Sequence, residues 1–133
     1  MTVRTLCIVV CGAPLAARTG DGVQAARTNG WDPYVIPTDA ALPWLDGQDL
    51  FDASMVTGNR APGQAKRTPP ADAVVVVPTT FNTLNAWANG NAYSYPVTVL
   101  CVAAEVPWRD EDLLARCLIG LPATPRGPLS VRC

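Results

Sequence analysis

The feature that most constrains this chain is the run Ala73-Val74-Val75-Val76-Val77, preceded by Asp72 and broken by Pro78. Four successive β-branched residues with no alternation fit a strand buried on both faces, as in a parallel sheet covered by helices. Thr5–Val10 has the same character and closes on Cys11-Gly12, and Trp31–Ile36 supplies a third run before the turn Pro37-Thr38-Asp39. Between Thr5–Val10 and Trp31–Ile36, the segment from about Leu15 to Asn29 is helix-compatible, with Gly30 as its stop and Gly20 and Gly22 weakening it. Ala40–Leu45 begins another helix interrupted by Pro43, and Gln48–Pro70 reads as a long loop with at most a short strand near Ser54–Thr57. Thr79–Thr83 reads as a turn and Leu84–Ala88 as a helix ending at Asn89-Gly90. Strand and helix patterns in alternation predict an α/β fold: a three-layer, open, parallel sheet of Rossmann-like or flavodoxin-like kind.

Beyond Gly90 the pattern is less decisive. Val97–Val106 suits either a strand or a buried helix, and Asp110–Leu118 has a helical pattern with Asp110, Glu111 and Asp112 near its positive end. Pro122, Pro125 and Pro128 make 121–133 an irregular tail, so the chain divides into an α/β domain over 1–120 and that tail. The stretch Leu6–Ala17 after Arg4 could pass for a signal peptide, but the turn and helix that follow favour a first strand. No apolar run is long enough to span a membrane.

Composition removes several functions. Ten basic residues against eleven acidic ones leave no electrostatic case for nucleic acid or an anionic membrane. There is no histidine, and the five cysteines form no CxxC pair, so neither a catalytic zinc nor a Cys–His nucleophile is expected, and no metal at all. The thiols read as reduced, which predicts a cytoplasmic protein. Gly12 lacks the spacing of a GxGxxG dinucleotide loop and the lysine of a P-loop, which disfavours a dehydrogenase or a nucleoside triphosphatase.

Ligands of open parallel sheets bind beyond the carboxyl ends of the strands. Three strand-ending turns carry suitable groups: Cys11-Gly12-Ala13, Pro37-Thr38-Asp39 and Pro78-Thr79-Thr80-Phe81-Asn82-Thr83. Hydroxyls and free N–H groups at helix starts suit a phosphate. The plain alternative for Thr38, Thr79, Thr80 or Thr83 taken singly is a helix cap; three such turns on one sheet edge favour a ligand.

The motif Pro78-Thr79-Thr80-Phe81-Asn82-Thr83, with Ala88 and Gly90 after it, resembles that of the flavin-containing cysteine decarboxylases, which include phosphopantothenoylcysteine decarboxylase. Thr79 stands where that family usually has alanine, Val10-Cys11-Gly12 resembles its first phosphate-side turn, and Thr38-Asp39-Ala40-Ala41 its Thr-x-x-Ala segment. The likeness covers roughly residues 3–90. It implies an FMN site in a homo-oligomer built from trimers, acting on a small carboxylated substrate. Gly12, Ala13 and Thr38 would lie near the phosphate and Thr79, Thr80 and Phe81 near the flavin ring, with Thr83 in the same cofactor-binding set. Asn82 would be the catalytic residue, helping to bind the substrate carboxylate.

The chain also departs from that family. The histidine expected a few residues before the 72–77 strand is absent, and Gln64, Lys66 and Arg67 occupy that stretch. The substrate motif is missing, with only Pro107-Trp108 in its place, and Asn91-Ala92-Tyr93-Ser94 replaces the step after Gly90. The C-terminal part therefore reads as shortened or altered, by deletion or by a change of reading frame. Three alternatives to a decarboxylase follow: a catalytically degenerate flavin-binding or interaction module, a prenyl transferase to flavin drawing on Arg18, Lys66 and Arg67, and a purely structural α/β domain.

Overall fold

The computed structural model describes residues 3–58, 61–65 and 67–105. Lys66, the Asp110–Leu118 helical pattern, Pro107-Trp108 and the 121–133 tail lie outside the described residues.

The apolar run near the N-terminus forms β1 (Arg4–Val10), flanked by β2 (Trp31–Pro37) and β4 (Ala73–Val76), while β3 (Ser54–Met55) extends the sheet beyond β2. The order is β3-β2-β1-β4 and every pairing is parallel. Side chains alternate across the sheet. Cys7, Val9 and Cys11 join Ile36, Val56, Val74 and Val76 in the core of one face, and Ile8 and Val10 join Val35 on the other. Most side chains of β1 and β4 are buried on one face or the other, so neither strand shows a polar side and both read as unbroken apolar runs.

On the second face a 3-10 turn (Pro14–Arg18) leads into α1 (Thr19–Thr28), and another (Asp39–Ala41) into α2 (Leu42–Leu45). Ala16, Val23, Ala41 and Leu45 are their buried contacts with the sheet. On the first face α3 (Phe81–Ala88) and α4 (Tyr95–Glu105) contribute Trp87, Tyr95, Val99 and Leu100. Helices on both sides of an all-parallel sheet make the three-layer α/β fold expected from the sequence. No described helix is long and apolar enough to cross a membrane.

Several boundaries differ from the sequence reading, each for a local reason. The helix expected from about Leu15 is split, because Pro14 opens a 3-10 turn and the α-helix begins only at Thr19. Gly20, unfavourable in a helix by propensity, is required by packing: a Cβ there would lie 2.4 Å from the Asp49 carbonyl oxygen. Its N–H instead donates to Gln48 Oε1 at 3.2 Å, while Gln48 Nε2 donates to the Ala16 carbonyl at 2.8 Å. Pro37 belongs to β2 rather than to the turn, and β4 ends at Val76. Of the Val97–Val106 stretch, Val97–Glu105 lies in α4, with Val97 and Leu100 fully buried and Pro96 in its first turn, where a missing N–H costs no bond, and Val106 lies outside the described residues.

Asp72 fixes where β4 enters. Its carboxylate accepts the Thr5 N–H at 2.7 Å and its own N–H donates to the Thr5 carbonyl at 2.9 Å. This reciprocal pair holds the register in which Leu6 faces Ala73 and Val9 faces Val76.

Candidate functional site

The strand order reverses beside β1: β2 and β3 lie to one side of it and β4 to the other. At such a switch point the turns leaving neighbouring strands diverge, and a crevice opens at their carboxyl ends. Three turns meet there. The Cys11 N–H donates to the Pro78 carbonyl at 3.0 Å, the Val77 N–H to the Val9 carbonyl at 2.9 Å, and the Thr38 N–H to the Val10 carbonyl at 2.9 Å. The turn after β1 is thus tied to both its neighbours.

Gly12 and Thr38 lie where the first two turns touch. A Cβ on Gly12 would stand 2.7 Å from both the Cβ and the carbonyl oxygen of Ala40, so only a hydrogen fits. Ala13 precedes the 3-10 turn Pro14–Arg18, and its N–H donates to the Cys11 carbonyl at 2.9 Å. Thr38 precedes the turn Asp39–Ala41 but makes no cap bond, and its Oγ1 is buried without a partner. A buried hydroxyl without a bond costs about 1–3 kcal/mol, so one at a ligand edge points to a group that completes it.

The third turn is organised differently. Val77-Pro78 is a cis peptide bond, and Thr79 Oγ1 donates to the Thr80 carbonyl at 3.3 Å. Thr80 caps α3: its Oγ1 accepts the Thr83 N–H at 3.4 Å and donates to Thr83 Oγ1 at 3.2 Å. That cap starts the helix at Phe81, three residues earlier than the Leu84 start expected from the sequence. Thr83 is only 2% exposed, so its side chain faces inward and serves the cap. Phe81, 75% exposed, and Asn82, also exposed, project from the first turn of α3. The structure therefore brings Gly12, Ala13, Thr38, Thr79 and Thr80 to one edge, with Phe81 and Asn82 at its outer rim and Thr83 beneath it.

Of the residues standing where a histidine was expected, the described ones, Gln64 and Arg67, are both engaged with backbone groups. Arg67 donates to the carbonyls of Thr57, at 2.6 Å, and Gly58, and stacks over Tyr95 at 4.7 Å from the ring centre. Gln64 Oε1 accepts the Ala61 N–H at 2.8 Å. Arg18 pairs with Asp21 at 3.0 Å on the exposed surface. Burial pushes the Cys7 thiol up to about 11, which leaves it protonated and inert at neutral pH. No group of three or more His, Cys, Asp or Glu side chains that could hold a metal occurs among the described residues.

Two features were missed by the sequence reading. Ala40 forms the wall against Gly12, and its small size was the one available signal. Ser94, immediately before α4, has a buried Oγ without a partner, and nothing in its sequence neighbourhood marks it.

No protein-family model matches the chain, and no curated protein matches it by sequence. Solved structures do. AnUbiX (PadA1), solved in complex with FMN and dimethylallyl pyrophosphate, superposes with a TM-score of 0.62 at 19% identity, covering 84% of this chain and 70% of that one. Phenylacrylic acid decarboxylase from Aquifex aeolicus gives 0.61 at 19% identity, covering 96% of this chain and 88% of that one. A PPC decarboxylase variant complexed with pantothenoylaminoethenethiol gives 0.60 at 17% identity, covering 76% of this chain and 61% of that one. The described residues thus carry the α/β fold that these three proteins share.

Proposed function

We propose that this chain is an FMN-binding flavoprotein of decarboxylase-like type, acting on a small carboxylated substrate. A fold by itself does not assign chemistry, so the case rests on the site. The observation that carries it is Thr38 Oγ1, buried and without a partner at the switch point, beside the Gly12–Ala40 contact where backbone comes unusually close. These features fit a phosphate held by a hydroxyl and by N–H groups at helix starts, without any lysine. The FMN in the AnUbiX complex and the similarity to two decarboxylases support the same reading.

In this reading Thr38, Gly12 and Ala13 hold the phosphate end, and Thr79 and Thr80 border the ring. Thr83 acts through the Thr80 cap. The exposed Asn82 amide binds the substrate carboxylate, and the exposed Phe81 shields the rim or packs on a second copy in a homo-oligomer built from trimers. Bound FMN would supply a two-electron acceptor.

The absence of histidine favours a second reading, in which flavin is bound without decarboxylation. Arg67 cannot serve as the base, since a guanidinium stays protonated and this one is held by two carbonyls. The visible spectrum of the purified protein, with identification of any cofactor released on heating, tests the shared claim. Bound or added FMN taken up stoichiometrically, with Thr38→Val weakening it about 10-fold or more, is the expected result. A colourless chain that ignores added FMN overturns both readings; FMN binding without turnover of any candidate acid leaves the second.

A further inference from the structure

We propose that Asn89, at the end of α3, is a deamidation site that the fold holds shut and that opens when the last turn of the helix unwinds. The chain has two Asn-Gly pairs, Asn29-Gly30 and Asn89-Gly90, and all four residues are exposed. A glycine after asparagine leaves its nitrogen unhindered, so that it can bond to the side-chain Cγ. The Cγ–Nδ2 bond then breaks, ammonia leaves with the peptide proton, and water opens the resulting cyclic imide to aspartate or isoaspartate. Ring closure needs the glycine nitrogen eclipsed with Cβ about the Cα–C bond. At a ψ of 13° for Asn29 and 3° for Asn89 it is eclipsed with the asparagine's own nitrogen instead.

Both helix ends keep that conformation with the same bonds. Each glycine takes a positive φ, 83° at Gly30 and 66° at Gly90, and donates its N–H at 3.0 Å, to the Arg27 and Trp87 carbonyls respectively. Each asparagine donates its side-chain Nδ2 one turn back, to the Ala25 carbonyl at 2.7 Å and the Asn85 carbonyl at 2.8 Å. Nucleophile and leaving group are thus both engaged elsewhere. What differs is the chain beyond. Gly30 runs directly into β2, which is paired on one side by β1 and on the other by β3. Gly90 leads to Asn91, whose N–H donates to the Ala86 carbonyl at 2.7 Å, and then to the exposed Ala92 and Tyr93. With eight residues α3 is too short to hold itself together without its packing, so its end opens before that of α1. A carboxylate in place of the Asn89 amide stands at the negative pole of α3 and disfavours reclosing. This inference is independent of the flavin reading.

Incubating the full chain at mildly alkaline pH, with and without concentrated urea, tests this by peptide mapping that resolves isoaspartate. In urea both asparagines should deamidate at similar rates. In the folded chain both should slow by at least about tenfold, Asn89 less than Asn29. Thr80→Ala, which removes the cap of α3, should speed Asn89 about fivefold and leave Asn29 unchanged. The deamidated fraction, separated by anion exchange, should melt below the intact chain. Three results overturn the proposal: a folded-state rate at Asn89 equal to that in urea, Asn29 reacting before Asn89 in the folded chain, or a Thr80→Ala protein in which Asn89 is unmoved or both asparagines accelerate alike, which would place the opening in global unfolding.

Discussion

Replacing Gly12 with alanine should destabilise the fold and the ligand edge together. The new Cβ would sit 2.7 Å from the Ala40 Cβ and carbonyl oxygen and 2.8 Å from its carbonyl carbon. Carbon atoms in contact prefer about 3.5–4.0 Å, so the two turns must part by roughly 1 Å. Neither moves freely: one is bonded to Pro78 through Cys11 and the other to Val10 through Thr38, at 3.0 and 2.9 Å. Overpacking of this kind costs about 1–3 kcal/mol, and at roughly 3 °C per kcal/mol for a domain of this size the melting temperature should fall by about 3–10 °C. Thermal unfolding followed by far-ultraviolet circular dichroism measures the first effect, and quenching of flavin fluorescence on titration measures the second, expected as a loss of about tenfold or more in FMN affinity. Gly22→Ala is the internal control. Its Cβ meets nothing within 4 Å on α1, so the same chemical change should stabilise by about 0.5–1 kcal/mol. A Gly12→Ala protein that melts with the wild type, while Gly22→Ala melts higher, refutes the claim that Gly12 and Ala40 are pressed together.

Thr80→Ala removes the side-chain cap of α3 and should cost about 1 kcal/mol, seen as a lower urea midpoint, with Thr80→Ser retaining most of the stability. Asp72→Ala leaves the Thr5 N–H without its charged partner and should cost about 1.5–3 kcal/mol, with faster amide exchange in β4 than in β2. Cys7 holds its proton up to about pH 11 in the fold against 9.0 for an unburied thiol. The unfolded chain therefore loses that proton first as pH rises, so this group's contribution is intact below pH 9.0 and disappears through about 11. A denaturation series from pH 8 to 11 should show that decline, and Cys7→Ala should flatten it.

What could be read from the sequence follows what is local. β1 and β4 are dense in β-branched side chains because most of their residues are buried, and the turns that end β1, β2 and β4 carry their own Gly, Thr and Pro signals. The candidate edge was legible for the same reason, since strand ends in a parallel sheet all point one way. The remainder depends on partners distant in sequence. Nothing near Gly12 shows that Ala40 will press on it, and nothing near Gly20 shows that the Asp49 carbonyl excludes a side chain there. Thr83 looked like a ligand residue because its polarity is visible while its inward direction, set by the Thr80 cap, is not. The Val97–Val106 stretch is apolar enough for either element, and the packing of Val99 and Leu100 against the Cys7 and Val74 face, a contact distant in sequence, is what accompanies a helix through Glu105.

The backbone bonds from Cys11 to Pro78 and from Thr38 to Val10 have a consequence for affinity. They couple three peptide segments through the backbone of one strand, so the rim is preorganised: its conformational entropy was already given up when the sheet formed. A ligand docking there orders few additional dihedrals, and little of its contact energy goes to immobilising loops. The association rate should accordingly be that of a rigid partner, with single-phase kinetics and linear dependence on ligand concentration.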